Sequence, residues 1–179
     1  LEACKRGETK VVELLLERCN SEESGLSIKD QRGWTAFMVA CLRGHKDVVK
    51  LILDHSERID LNARDNDGWT AFMCACINGQ KDVVKLLLDH SERIGLNARN
   101  NRGSPAFRRG MTAFMWACRN GHKDVVKLLL EHSERIDLNA RTNNGVNAFM
   151  MACNNGRTDV VKLLLDHSDP KINLNLSNE

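Results

Sequence analysis

Two apolar patterns alternate along this chain. The first is the run Ala-Phe-Met-x-Ala-Cys, found at 36–41, 71–76, 113–118 and 148–153. In its first full occurrence Thr35 stands where a hydroxyl can accept a hydrogen bond from a first-turn amide. Gly44 stands where a left-handed residue ends a helix at low cost. A helix is therefore predicted from Ala36 to Arg43. Thr70, Thr112 and Asn147 repeat the cap, and Gly79, Gly121 and Gly156 repeat the stop. The second pattern is Val48, Val49, Ile52 and Leu53, with Lys46, Asp47, Lys50 and Asp54 filling the wet side. That is helical spacing, and it predicts a second helix from Lys46 to His55. The stretch from Ser56 to Gly68 is polar and turn-rich, broken only by residues such as Leu61. Each unit thus reads as two short antiparallel helices and a loop.

The units recur at a nearly constant interval. Gly33, Gly68, Gly110 and Gly145 are 35, 42 and 35 residues apart. A fixed period of that size is the signature of a repeat array, and such an array behaves as one body because each unit touches its neighbours. The units span residues 1–29 (partial), 30–64, 65–99, 100–141 and 142–179. Leu1 to Arg18 matches Met38 to His55, so the chain starts in mid-pattern without the turn and the Thr-Ala-Phe. We read it as a piece of a longer protein.

The repeated string Gly-Trp-Thr-Ala-Phe-Met, Ala-Cys, Gly-His, Val-Val-Lys-Leu-Leu-Leu and Leu-Asn-Ala-Arg resembles the ankyrin repeat family over nearly the whole chain. The resemblance implies an all-α solenoid of antiparallel helix pairs with projecting, β-hairpin-like finger loops. It also implies a concave face, built from finger tips and inner helices, that binds another protein. Three departures stand out. The family's Thr-Pro-Leu-His becomes Thr-Ala-Phe-Met, so its Thr–His network is absent and methionine suggests apolar contact instead. Each regular unit is two residues longer after the second helix, in Ser-Glu-Arg-Ile. The fourth unit carries seven extra residues, Gly103 to Arg109 in this alignment. The extra residues read first as a tolerated surface insertion, since added loop length costs little entropy. The sharper alternative is a partner-contacting finger.

Composition narrows the function. Hydrophobic residues make up 42% and the formal net charge is +2, which suggests no polyanion partner. No run of 18 apolar residues and no signal-peptide pattern occurs. Of the seven cysteines, Cys4, Cys41, Cys76, Cys118 and Cys153 take the same repeat position. Stacked helices lie roughly 8–10 Å apart, whereas a disulfide wants Cα atoms within about 7 Å. The column reads as small residues at close helix contacts, in an intracellular compartment, cytoplasmic or nuclear. Cys74 and Cys19 fall outside the column, and Cys19, in a loop, is the reactive candidate.

No catalytic motif, phosphate loop or zinc spacing is found, and no enzyme activity, cofactor or metal is expected. His55, His90, His132 and His167 share one position near the end of the second helix. There a cation suits the helix dipole, and the repeat period spreads them along the stack. At His45 and His122 other units carry Gln80 and Arg157, so any polar group suffices. Near-identity between units suggests recent duplication. A consensus-derived scaffold is the alternative, though free cysteines and an irregular insertion speak against design. Nucleic-acid binding through Arg102, Arg108, Arg109 and Arg119, with Trp116 nearby, is a further alternative, but a longer basic stripe is needed. The outward positions vary between units while the core string does not. They give the candidate binding residues Arg32, Trp34, Arg43, Asp67, Trp69, Asn78, Arg108, Arg109, Met111, Arg119, Asn144 and Val146. Arginines outnumber the single acid there, so the expected partner is an acidic or acidic–aromatic protein segment on the third and fourth units. No small-molecule substrate and no membrane are expected, and the chain is expected to be a monomer. Thiol titration of the denatured, unreduced protein should find all seven cysteines free; a persistent intramolecular disulfide would overturn the spacing argument.

Overall fold

The computed structural model describes residues 1–18, 28–55, 59–101, 109–167 and 172–174. Among these, the regular elements are ten α-helices in five pairs, without strands. The pairs are α1 (Glu2–Arg6) with α2 (Thr9–Arg18), α3 (Ala36–Arg43) with α4 (Lys46–Asp54), α5 (Ala71–Ile77) with α6 (Lys81–Asp89), α7 (Ala113–Asn120) with α8 (Lys123–Leu130), and α9 (Ala148–Asn154) with α10 (Thr158–Asp166). The odd-numbered helices stack in one layer and the even-numbered helices in a second. The odd layer packs more closely. Its contact positions are Ala and Cys, and interaxial distance follows side-chain size.

The caps are as the sequence implies. Thr35 Oγ1 accepts from Met38 N at 3.2 Å, and Asn147 Oδ1 accepts from Met150 N at 2.9 Å. Gly44 ends α3 at φ 78°. A Cβ there would also meet the side-chain amide of Gln80 of the next unit. Gln80 belongs to a row that ties each unit to the one before it. His45 Nε2 donates to Lys5 O (3.0 Å), Gln80 Nε2 to Leu42 O (3.1 Å), His122 Nε2 to Ile77 O (2.8 Å) and Arg157 Nε to Arg119 O (3.0 Å). Each donor satisfies a carbonyl at the end of a first helix, which no intrahelical amide can reach.

The core is continuous. Val48, Val49, Ile52 and Leu53 are buried, as are Val83, Val84, Leu87, Leu88 and their equivalents on α8. Met38, Met73, Met115 and Met150 are also buried, so apolar packing occupies the place of the family's histidine. Cys4, Cys41, Cys76 and Cys118 form a buried column, and Cys74, expected outside it, is buried beside it. Burial pushes the Cys41 thiol up, and the neighbouring thiols of Cys74 and Cys76 add to the effect. The six described cysteines are unbridged; Cys19 lies outside the described residues.

The loops are joined across units by side chain to main chain bonds. Asn62 donates to Arg93 O (2.9 Å) and accepts from Gly95 N (2.7 Å); Asn97 donates to Arg135 O (2.9 Å) and accepts from Asp137 N (2.8 Å). A second row runs beside it: Lys29 Nζ donates to Arg64 O (2.9 Å), the Arg64 guanidinium to Arg99 O, and Arg99 Nη1 to Arg141 O (2.6 Å). A polar side chain at the start of each finger closes its turn: Asp30, Asp65, Asn100 and Thr142. Asp65 Oδ1 accepts from Asp67 N and Trp69 N at 2.9 and 2.8 Å, and Asn100 Oδ1 accepts from Met111 N at 2.8 Å. Successive fingers pair through Asn66 N to Arg32 O (3.0 Å), Asn101 N to Asp67 O (2.8 Å) and Asn143 N to Arg109 O (3.1 Å). Arg109 thus takes the place of Arg32 and Asp67. The seven extra residues are 102–108, one position earlier than the sequence alignment set them, and they lie outside the described residues.

Because both ends of the insertion are held like those of an ordinary turn, deleting residues 102–108 should change stability by less than about 1 kcal/mol. A large fall in Tm would show that the segment packs into the stack. Leu88→Ala, at a central buried position, should cost roughly 2–5 kcal/mol. Leu16→Ala, half-buried at the end of the array, should cost clearly less. Equal small losses in urea titrations would contradict a stacked core.

Candidate functional site

The face formed by the turns and the first helices gathers most of the expected binding residues, in two places. Between the first and second units, Arg32, Trp34 and Arg43 line an open cavity of about 370 Å³ together with Asp30, Val39, Leu42 and, from the first residues of the chain, Leu1, Glu2 and Lys5. Both arginines are exposed and Trp34 is half-buried. The Asp30 carboxylate, which accepts from Arg32 N and Trp34 N at 2.9 Å each, fixes the turn that presents them.

At the third and fourth units, Trp69 packs against Trp116 with ring centroids 4.9 Å apart and planes tilted by 34°. The Arg119 guanidinium carbon lies 5.6 Å from the Trp116 ring centroid. This is within the range of cation–π attraction. Trp69 and Arg119 are half-buried and Trp116 is buried. The Trp116 indole N–H has no acceptor among the described residues. The sequence reading placed Trp116 only beside a basic cluster. A signal for it existed, because Val39, Cys74 and Met151 hold the same repeat position and Trp116 is the aromatic among them.

Several expectations need correcting. Met111 was expected on the surface, at the place of Trp34 and Trp69, but it is fully buried. An unbranched, flexible side chain can turn into the stack, whereas the two indoles are left half-buried at that place. Asn78 is exposed, yet its amide donates to Leu42 O at 2.9 Å, so it joins units together. Asn120 does the same with Ile77 O at 2.7 Å. Arg109 and Asn144 are exposed; Asp67 and Val146 are half-buried. Arg108 lies outside the described residues.

His55, His90 and His132 each turn Nδ1 to the carbonyl four residues back on their own helix, at 2.9, 3.0 and 2.9 Å. Among the described residues no three His, Cys, Asp or Glu side chains converge on a possible metal position. The arginines of the Leu-Asn-Ala-Arg loops, Arg64 and Arg99, give a side-chain donor to a neighbouring unit's carbonyl. These arginines therefore take part in joining the units. No helix among the described residues is long and apolar enough to cross a membrane.

A family model described as ankyrin repeats, in three copies, matches residues 1–100 and again residues 94–177. No curated protein matches the chain.

Proposed function

The chain belongs to the ankyrin repeat family, and from that premise we propose that it recognises an acidic or acidic–aromatic protein segment on its concave face, centred on the third and fourth units. Ankyrin repeats are, as a family, binding scaffolds for other proteins rather than enzymes. The observation that carries the reading is the contact between Trp69, Trp116 and Arg119. It sets an aromatic surface beside a guanidinium, and Trp and Arg are the residue types most enriched at binding hot spots. Arg109 is exposed on the adjoining finger. The charge asymmetry of this face, hidden in the overall balance, attracts a carboxylate-bearing segment over distance. On arrival, planar guanidinium groups can take a carboxylate by two parallel hydrogen bonds. An aromatic or aliphatic side chain of the segment covers the open part of Trp69.

Panning a displayed library of random peptides over the immobilised chain should select acidic sequences. Arg109→Glu should weaken the selected peptides at least about fivefold, or ~1 kcal/mol, with Tm unchanged, since among the described residues only its main chain bonds to a neighbour. Trp69→Ala should also weaken binding, but it removes the stacking on Trp116 and so lowers stability by about 0.5–1.5 kcal/mol. Arg109→Glu is therefore the cleaner probe. Selection of basic peptides, or normal binding by Arg109→Glu while Lys50→Glu or Lys85→Glu on the second helices abolishes it, would overturn the assignment.

A further inference from the structure

Asparagine stands directly before glycine at four places: Asn78-Gly79, Asn120-Gly121, Asn144-Gly145 and Asn155-Gly156. In such a pair the glycine nitrogen can attack the asparagine side-chain carbonyl, since glycine has no side chain to crowd the approach. The attack needs a side chain free to swing over the chain that follows it. The four pairs differ in that freedom. Three lie at the ends of first helices, and their side-chain amides are held. Asn78 donates Nδ2 to Leu42 O (2.9 Å), Asn120 to Ile77 O (2.7 Å) and Asn155 to Met151 O (2.8 Å). Two of those bonds cross to the preceding unit, so freeing the side chain there loosens a junction of the stack.

Asn144 is the exception. It is exposed on the fifth finger, and its side chain makes no hydrogen bond among the described residues. Its exposure belongs to the repeat position. Arg32 and Arg109 hold the same place in units stacked on both sides, and both are exposed. Gly145 has a left-handed backbone at φ 77°, and its N–H donates to Thr142 O at 3.0 Å. That bond lies within the finger tip. Opening it disturbs one surface turn, the kind of local opening that costs least in a folded protein.

We propose that Asn144 is a site of spontaneous deamidation, and that the carboxylate it gains weakens the binding of acidic segments. Water is the sole co-reactant. The Gly145 nitrogen loses its proton and bonds to Asn144 Cγ, and the side-chain nitrogen leaves as ammonia. Water then opens the succinimide at either carbonyl, giving aspartate or isoaspartate. One water is taken up and one ammonia released, with no change of oxidation state. The new negative charge lies beside Arg109, because Asn143 N donates to Arg109 O at 3.1 Å and joins the two finger tips. At 0.1 M salt a charge is felt over about 10 Å, so a face that attracts carboxylates when fresh attracts them less as the protein ages. The weakening presupposes the acid-binding role proposed above; the deamidation itself does not.

Peptide mapping by mass spectrometry, after incubation of the native chain at mildly alkaline pH, reads the site. Asn144 should convert to aspartate and isoaspartate well before Asn78, Asn120 or Asn155. Isoelectric focusing should show an added negative charge that Asn144→Ser does not gain over the same time. Conversion first at one of the other three pairs, or no conversion at all, would overturn the site. Binding is read separately, with an acidic peptide taken from the panning. Asn144→Asp should bind it about twofold more weakly than Asn144→Ser, the effect of one charge several ångströms away in water. The gap should close in high salt. Equal affinities of the two variants at low salt would overturn the regulatory role. Panning that selects no acidic peptide would overturn the binding reading and that role together, while the mass readout stands on its own.

Discussion

No unit of this chain can bury its own apolar surface, and the rest of the structure depends on that constraint. A pair of helices of five to ten residues each is too short to hold itself together in water. It becomes stable when the Val and Leu edge of one second helix closes against the next, and when the Ala and Cys positions let the first helices approach closely. Burying a Leu or Val side chain is worth about 1.5–3 kcal/mol, and the inner units bury both edges while the end units bury one. Stability therefore accumulates along the array.

Polar groups settle how the stacked units are aligned. The donor at the start of each second helix reaches back to a first-helix carbonyl. The loop asparagines bond both ways to the next loop, and the loop lysine and arginines form a parallel row. These are bonds to main chain, so they are indifferent to the side chain on the receiving residue. That explains how receiving residues can vary, as with Lys5, Leu42, Ile77 and Arg119, while the donors continue to hold register. It also explains how a network can persist in a chain that lacks the family's Thr–His pairing.

The same division produces the candidate binding face. Carboxylate, amide and hydroxyl side chains in the turns fix the fingers, and the first helices form a floor behind them. Residues presented on this frame are free to differ from unit to unit. Trp69, Trp116 and Arg119 meet because two consecutive units place them on facing parts of the frame. For Trp34 the corresponding position on the following unit is Cys74, where the fourth unit has Trp116.

The sequence alone determined the helix pairs, their caps and stops, the period and the core edge. These follow from local spacing and from steric and hydrogen-bonding preferences that act over a few residues. It also singled out the positions of Arg32, Arg43, Arg109 and Arg119 as candidates, since variable positions stand out against a repeated core. Only the tertiary structure decided that Met111 is buried, that Asn78 and Asn120 join units, that the insertion occupies 102–108 and that Trp116 completes the aromatic pair. Each of these depends on contacts between residues more than thirty positions apart or across a turn of altered length. The end surfaces show the same limit. Val11 and Val48 have the same kind of neighbours in sequence, and only the presence of a stacked unit makes one buried and leaves the other exposed.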